Sequence, residues 1–324
     1  MTMTALTSSG KPTRTIQRPR LLARVIAWEL RRFHASRLFC LQALGFFGLS
    51  LLLVWSEKIP LTLNHAQAVV PFDGYMAETS AWGLLRTLST GTLMVLGMLL
   101  PFVNADGAAR DLSRRTYELL MATALPTRVY LWGHYLSGLL LSLGLSLLML
   151  VAFLGLGWFW HLTFADYPMP EIGVLLAIWA GLIVPAIIVV SGLSFALGTL
   201  LPRLTILVKV VIMAAWFVSA QVPFTLFGDA SHSASFSLPA WYINWDPTGT
   251  GIALGLFNWY MTAFSNLGDR AATTAQTQLG LLTVENSLLD LGGWLVPHLL
   301  LAGFSLALVL IVALVFKRSR PTLS

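Results

Sequence analysis

Long apolar runs alternate with short polar stretches along most of the chain, and the runs are long enough to matter for a bilayer. A membrane-crossing helix needs about 20 predominantly apolar residues. Six segments meet that test, at about Leu38–Trp55, Leu84–Val103, Leu131–Trp158, Ile172–Leu200, Ile206–Phe227 and Leu291–Phe316. The third and fourth exceed what a hydrocarbon core of about 30 Å requires, so they are expected to tilt or to extend into water. A seventh stretch, Gly249–Leu267, is marginal. Asn258, Thr262, Ser265 and Asn266 interrupt it, which suits an interfacial or re-entrant helix better than a full crossing.

Ahead of the first run the period changes. At 100° per residue, Leu21, Leu22, Val25, Ile26, Leu30 and Phe33 share one side of a helix, and Arg20, Arg24, Arg31 and His34 share the other. Glu29 and Arg32 fall nearer the apolar arc and blur it. A basic amphipathic helix directly before a span is expected to lie in the headgroup plane, with Arg20, Arg24, Trp28, Arg31 and Arg32 at the membrane interface. The alternative is a plain polybasic flank that fixes topology.

Charge then sets orientation. With the N-terminus in the cytosol and the spans alternating, seventeen of the twenty Lys and Arg fall on the cytoplasmic side. Only Lys58, Arg86 and Arg270 do not, so the positive-inside rule selects this arrangement. The predicted fold class is therefore all-α: a polytopic membrane protein with six transmembrane helices and both termini cytoplasmic. Its parts are a disordered tail (1–19), the amphipathic helix (20–35), a six-span domain (36–316) and a short cytoplasmic tail (317–324). Within the domain lie a cytoplasmic loop (104–130) and an outer region (228–290). Trp241, Tyr242, Trp245, Trp259 and Tyr260 in the outer region are aromatics of the kind that settle at headgroup depth.

Composition agrees. The chain has 324 residues, of which 56% are hydrophobic and 10% charged, with a mean hydropathy of +0.76. A soluble domain carries about 25% charged residues. The net charge of +6 is accounted for by the topology, and nucleic acid is not an expected partner. One cysteine, Cys40, excludes an internal disulfide framework and a Cys-based metal cluster.

The candidate chemistry is mostly negative. There is no GxxxxGK[ST] loop, so ATP hydrolysis by that route is not expected in this chain; HExxH, paired CxxC and G-x-S-x-G are also absent. The six histidines lack metal-ligand spacing. His298, beside Pro297 in the last span, is either a functional ionisable group or a neutral histidine bonded to a nearby carbonyl. Arg86 and Lys209 sit near span ends and can snorkel. None of the fourteen acids lies deep in a predicted span. That argues against a proton- or sodium-coupled carrier, which needs an intramembrane ligand for its ion. Ser142 and Ser146, and Ser194 and Gly198, are small residues four apart that let helices approach.

The polar stretch from Asn104 to Tyr135 stands apart. Two short helices are expected in it, with a break at Pro126 or a cap at Thr127. Exposed Leu119, Leu120, Met121 and Leu125 would need a partner or their own bundle to cover them.

The run ARDLSRRTYELLMATALPTRVYLWGHYLSG resembles the first cytoplasmic loop of ABC-2-type permeases, the membrane subunits of ATP-driven exporters. Glu118, Leu119, Leu120, Thr123, Leu125, Pro126, Arg128, Gly133 and Tyr135 match that pattern, and His134 departs from it, standing where many members carry Lys. The six-span layout with a large outer region before the last span resembles the family too. The resemblance implies that Arg114, Glu118, Leu119, Leu120, Thr123, Leu125, Pro126, Arg128 and His134 couple the spans to a separate nucleotide-binding ATPase subunit. It implies that ATP-Mg is bound on that partner, with no cofactor in this chain. It further implies pairing with a second permease copy or paralogue, lipid contact and the inner or plasma membrane of a bacterial cell. Substrate would cross between the two permeases by alternating access, beneath outer helices that map to Trp241–Leu267. A non-transporting membrane scaffold or assembly protein is the alternative, followed by an ion-coupled secondary transporter.

Overall fold

In a bilayer no water is present to satisfy backbone N–H and C=O groups, so an apolar chain must close its own hydrogen bonds, and a helix does this within one segment. The computed structural model describes residues 18–65, 79–88, 93–106, 126–163, 169–227, 239–256, 259 and 292–316. All regular structure among them is helical, with no strand. The chain is thus all-α, as its periodicity predicts.

Helix α1 (Arg18–His34) and helix α2 (Arg37–His65) meet at a sharp turn. The apolar parts of the two, Leu21–His34 and Phe39–Trp55, are inclined at 75°. The turn is closed locally: Ala35 N donates to Arg31 O at 2.9 Å, and Ser36 Oγ caps α2 by accepting from Phe39 N at 3.4 Å. Helix α1 begins at Arg18, two residues inside the tail expected to be disordered. The side chain of Arg20 is outside the described residues, as are residues 1–17 and 317–324.

The predicted second span is described as two helices, α3 (Ala81–Thr87) and α4 (Leu93–Asn104). The twelve residues of α4 rise about 18 Å, and residues 89–92 between α3 and α4 lie outside the described residues. Next come α5 (Thr127–Thr163), α6 (Ile172–Leu200) and α7 (Thr205–Phe227). The stretch between α7 and the last long helix supplies α8 (Ala240–Trp245) and a helix over 250–256, α9; the last described helix is α10 (Gly292–Val315). Four helices among the described residues are long and apolar enough to cross a membrane, or five if α1 and α2 together form one crossing. Helix α5 rises about 55 Å over its 37 residues, so the expectation that it outruns the bilayer holds. Of Gly249–Leu267, only 249–256 and 259 are described.

Helix α6 is central, packing on α4, α5, α7 and α10. It widens to a π-turn at Trp179–Ile183, where Val184 N reaches back to Trp179 O. Pro185 follows and has no N–H for the carbonyl of Gly181, so the turn opens where the normal ladder cannot continue. The main apolar core gathers Leu84, Leu93, Phe153, Trp160, Leu182 and Trp216. The outer faces of α2, α7 and α10 carry exposed Leu44, Leu207 and Phe304, the surface expected of helices solvated by lipid.

The α6–α10 pair is the most extensive. Ser305 Oγ lies 3.1 Å from both Ile188 O and Val189 O across that interface. An interhelical hydrogen bond in a membrane protein is worth about 0.6 kcal/mol. Ser305→Ala is therefore expected to lower thermal stability in detergent by only that amount; a loss several times larger would mean the hydroxyl holds more than these two carbonyls.

Candidate functional site

One group of buried polar residues, Glu29, Asn104 and His134 among them, lies where α1, α4, α5, α6 and α7 end, at the two roots of the 107–125 segment. One root is the end of α4. Asn104 is buried, and its amide nitrogen lies 3.0 Å from Leu100 O, 3.0 Å from Ser142 Oγ on α5 and 3.2 Å from Ser191 Oγ on α6. Having two hydrogens, that amide shares them among three acceptors and joins three helices at one point. Two residues on, Asp106 accepts from Lys209 Nζ of α7 at 2.7 Å. Lys209, expected to snorkel, instead pairs with Asp106 and stands 5.5 Å over the Phe102 ring.

The second root is the start of α5. Thr127 opens the helix, Arg128 points into solvent, and one turn later the chain is buried. His134 Nδ1 lies 3.3 Å from Glu29 Oε1 of α1, and both side chains are almost wholly buried. The edge of Tyr130 packs on the imidazole at 4.3 Å between ring centroids. Arg32 Nη1 approaches the same Glu29 oxygen at 3.6 Å, while its guanidinium lies 5.5 Å from the Trp28 ring. Glu29, which blurred the apolar arc in the sequence, is buried at 1% exposure, the most of any described side chain of α1. It faces inward because its partner is on α5 and not in water. Arg24, Trp28, Arg31 and His34 remain on the exposed side.

Two glycines make these approaches possible. A β-carbon on Gly133 would collide with Val25 of α1, and one on Gly198 would collide with the backbone carbonyl of Ala105, between Asn104 and Asp106. Thus α1 lies directly on the first turns of α5, and α6 lies directly on the chain entering the 107–125 segment. A cavity of about 40 Å³ remains between the roots, lined by Glu29, Phe33, Asn104, Asp106, His134 and Ser137 among others. On this measure a water needs roughly 10–15 Å³, so a few waters fit and an organic substrate does not.

No family model and no curated protein sequence matches the chain.

Of the residues expected to couple the spans to a partner, Pro126, Arg128 and His134 are placed at the second root. Arg114, Glu118, Leu119, Leu120, Thr123 and Leu125 fall outside the described residues. Sequence reasoning named His134 but missed Glu29, Asn104 and Asp106. The available signal for Glu29 was a carboxylate on the apolar arc of an amphipathic helix, which had to find a buried partner. Nothing in the local sequence marked Asn104, since its partners Ser142 and Ser191 lie 38 and 87 positions away. Among the described residues no group of three or more His, Cys, Asp and Glu is placed to hold a metal ion. Nor do the described residues of the site include a nucleophile–base pair. What the geometry can do is tie the two roots of a polar segment to five helices.

Proposed function

We propose that this chain is the membrane permease subunit of an ATP-binding-cassette exporter of the ABC-2 type. A separate ATPase subunit would dock on the 107–125 segment and drive the helices between inward- and outward-open arrangements. The observation that carries this reading is the anchoring of both roots of that segment. Glu29–His134 holds its exit to α1. Asn104 and Asp106 hold its entry to α5, α6 and α7. A segment so anchored passes a displacement to the whole bundle, because packed helices shift as units and do not deform continuously. The loop resemblance supplies the identity of the partner, and the missing Walker A sequence supplies the need for one.

In this reading the chain has six crossings and cytoplasmic termini, with α3 and α4 together forming the second. It pairs with a second permease copy or paralogue in the inner membrane of a bacterium, and ATP-Mg sits on the partner. The spans are apolar along their length, which favours a lipidic or amphipathic cargo. A scaffold role would use the same anchored roots with a partner that hydrolyses nothing.

Co-expression with an ATPase bearing Walker A and signature motifs, encoded beside this gene, tests the proposal. The pair is expected to co-purify, and Glu118→Arg with Arg128→Glu is expected to reduce recovery of the ATPase at least tenfold. Undiminished association in that double variant would remove the coupling role from this loop.

A further inference from the structure

At the other end of the bundle a second carboxylate is buried. Along α6, Leu182 beside this region and Gly198 beside Ala105 are separated by about 24 Å of helix rise. Asp246 follows α8 and is 2% exposed. It lies outside every predicted span, which is why counting acids within spans did not reveal it.

Its carboxylate is held on all sides. Oδ1 accepts from Thr248 N at 3.0 Å and Thr248 Oγ1 at 2.7 Å. Oδ2 accepts from Gly251 N at 2.7 Å and lies 2.9 Å from Thr248 Oγ1. Thr248 Oγ1 also lies 3.0 Å from Thr250 Oγ1, and Thr248 and Thr250 are buried. Among the described residues, the ionisable groups facing Asp246 come from two elements. From α10 comes His298, buried at 2% exposure and close enough to favour the ionised carboxylate when its imidazole is protonated; from α8 comes Tyr242. Tyr242 is tied to α7 by donating from its hydroxyl to Ser219 O at 3.2 Å. On the side of α4 and α6, the atoms nearest a β-carbon at Gly249 belong to Leu93 and Leu182.

We propose that Asp246, with Thr248, Thr250 and His298 around it, is a proton-binding site in the outer end of the membrane domain. The hydroxyls make both states possible. With Asp246 ionised, the single hydrogen of Thr248 Oγ1 points to the carboxylate. When a proton adds to the carboxylate, Asp246 O–H donates to Thr248 Oγ1, and Thr248 turns its hydrogen to Thr250 Oγ1. Thr248 Oγ1 also accepts from Thr250 N at 3.2 Å, so the carboxyl and Thr248 keep hydrogen-bond partners in both states, which lowers the cost of moving one proton on or off the buried site. His298 lies about three residues inside the apolar part of α10, which starts at Leu295, or about 4.5 Å of rise. The site is therefore within short reach of the aqueous phase. Burial pushes the Asp246 carboxyl above its usual range, against the hydrogen bonds from Gly251 and Thr248 and the positive influence of His298. Burial and the Asp246 charge push the Tyr242 phenol up, so Tyr242 stays neutral while Asp246 titrates.

The site is independent of the permease reading and is tested on the full chain alone, in phosphatidylcholine nanodiscs. Infrared difference spectra over a pH titration are expected to show a protonated carboxyl C=O band growing on acidification, with a midpoint above that of a free carboxylate. Asp246→Asn should abolish that band. His298→Gln removes a positive influence and Thr248→Val a stabilising donor. Each should raise the midpoint, by about one pH unit, and these two variants carry the test if Asp246→Asn fails to fold. An unchanged band in Asp246→Asn, or a midpoint that neither of the other two variants moves, would overturn the proposal.

Discussion

Replacing His134 by alanine is expected to destabilise the chain by about 3 kcal/mol, the upper end of the usual cost of leaving a buried polar group without its partner. The large figure follows from what remains. Glu29 would stay at 1% exposure with Arg32 at 3.6 Å as its counter-charge and no imidazole. The converse change is milder: Glu29→Ala removes one partner of the His134 imidazole, at a cost of about 2 kcal/mol. A double-mutant cycle on unfolding in detergent reads the pair directly, and near-additive losses would show that the two side chains do not interact. His134→Lys is the informative third variant. An ammonium on a flexible stem can still reach Glu29, so lysine, the residue of the resembling family pattern, is expected to recover most of the stability lost in alanine.

Gly198→Leu is expected to cost about 3 kcal/mol, the upper part of the usual overpacking range. The obstacle is the backbone carbonyl of Ala105, which cannot rotate away as a side chain would. Helices α4 and α6 must therefore separate, and the Asn104 amide must give up Ser191 Oγ at 3.2 Å. Gly198→Ala is expected to act in the same direction with a smaller loss. If the Gly198→Leu variant melted at the wild-type temperature in detergent, the close approach at this root would be wrong.

Much of the fold was legible because spans obey one strong constraint. The segments at Ile172–Leu200 and Ile206–Phe227 agree with α6 and α7 to within a residue or two, since an apolar run in lipid has little choice but helix. Of Leu84–Val103, residues 84–88 and 93–103 are helical as expected, and 89–92 lie outside the described residues. The amphipathic face of α1 was readable from Arg24 and Arg31, whereas the role of Glu29 was not, because periodicity assigns it a side and not a partner. The candidate site divided in the same way. His134 could be named from its loop context. Asn104, Asp106 and Asp246 acquire meaning only when α5, α6, α7 and α10 are brought beside them, and no pattern along the chain encodes those distances.

The most direct test of the proposed function is ATP hydrolysis by an ATPase encoded beside this gene, reconstituted with this chain in proteoliposomes. The account predicts that the chain alone hydrolyses nothing and that the complex hydrolyses Mg-ATP. It also predicts that Glu118→Arg with Arg128→Glu lowers the rate at least tenfold while the chain remains folded. Equal hydrolysis with the wild-type chain, with that double variant and with no membrane chain at all would contradict it.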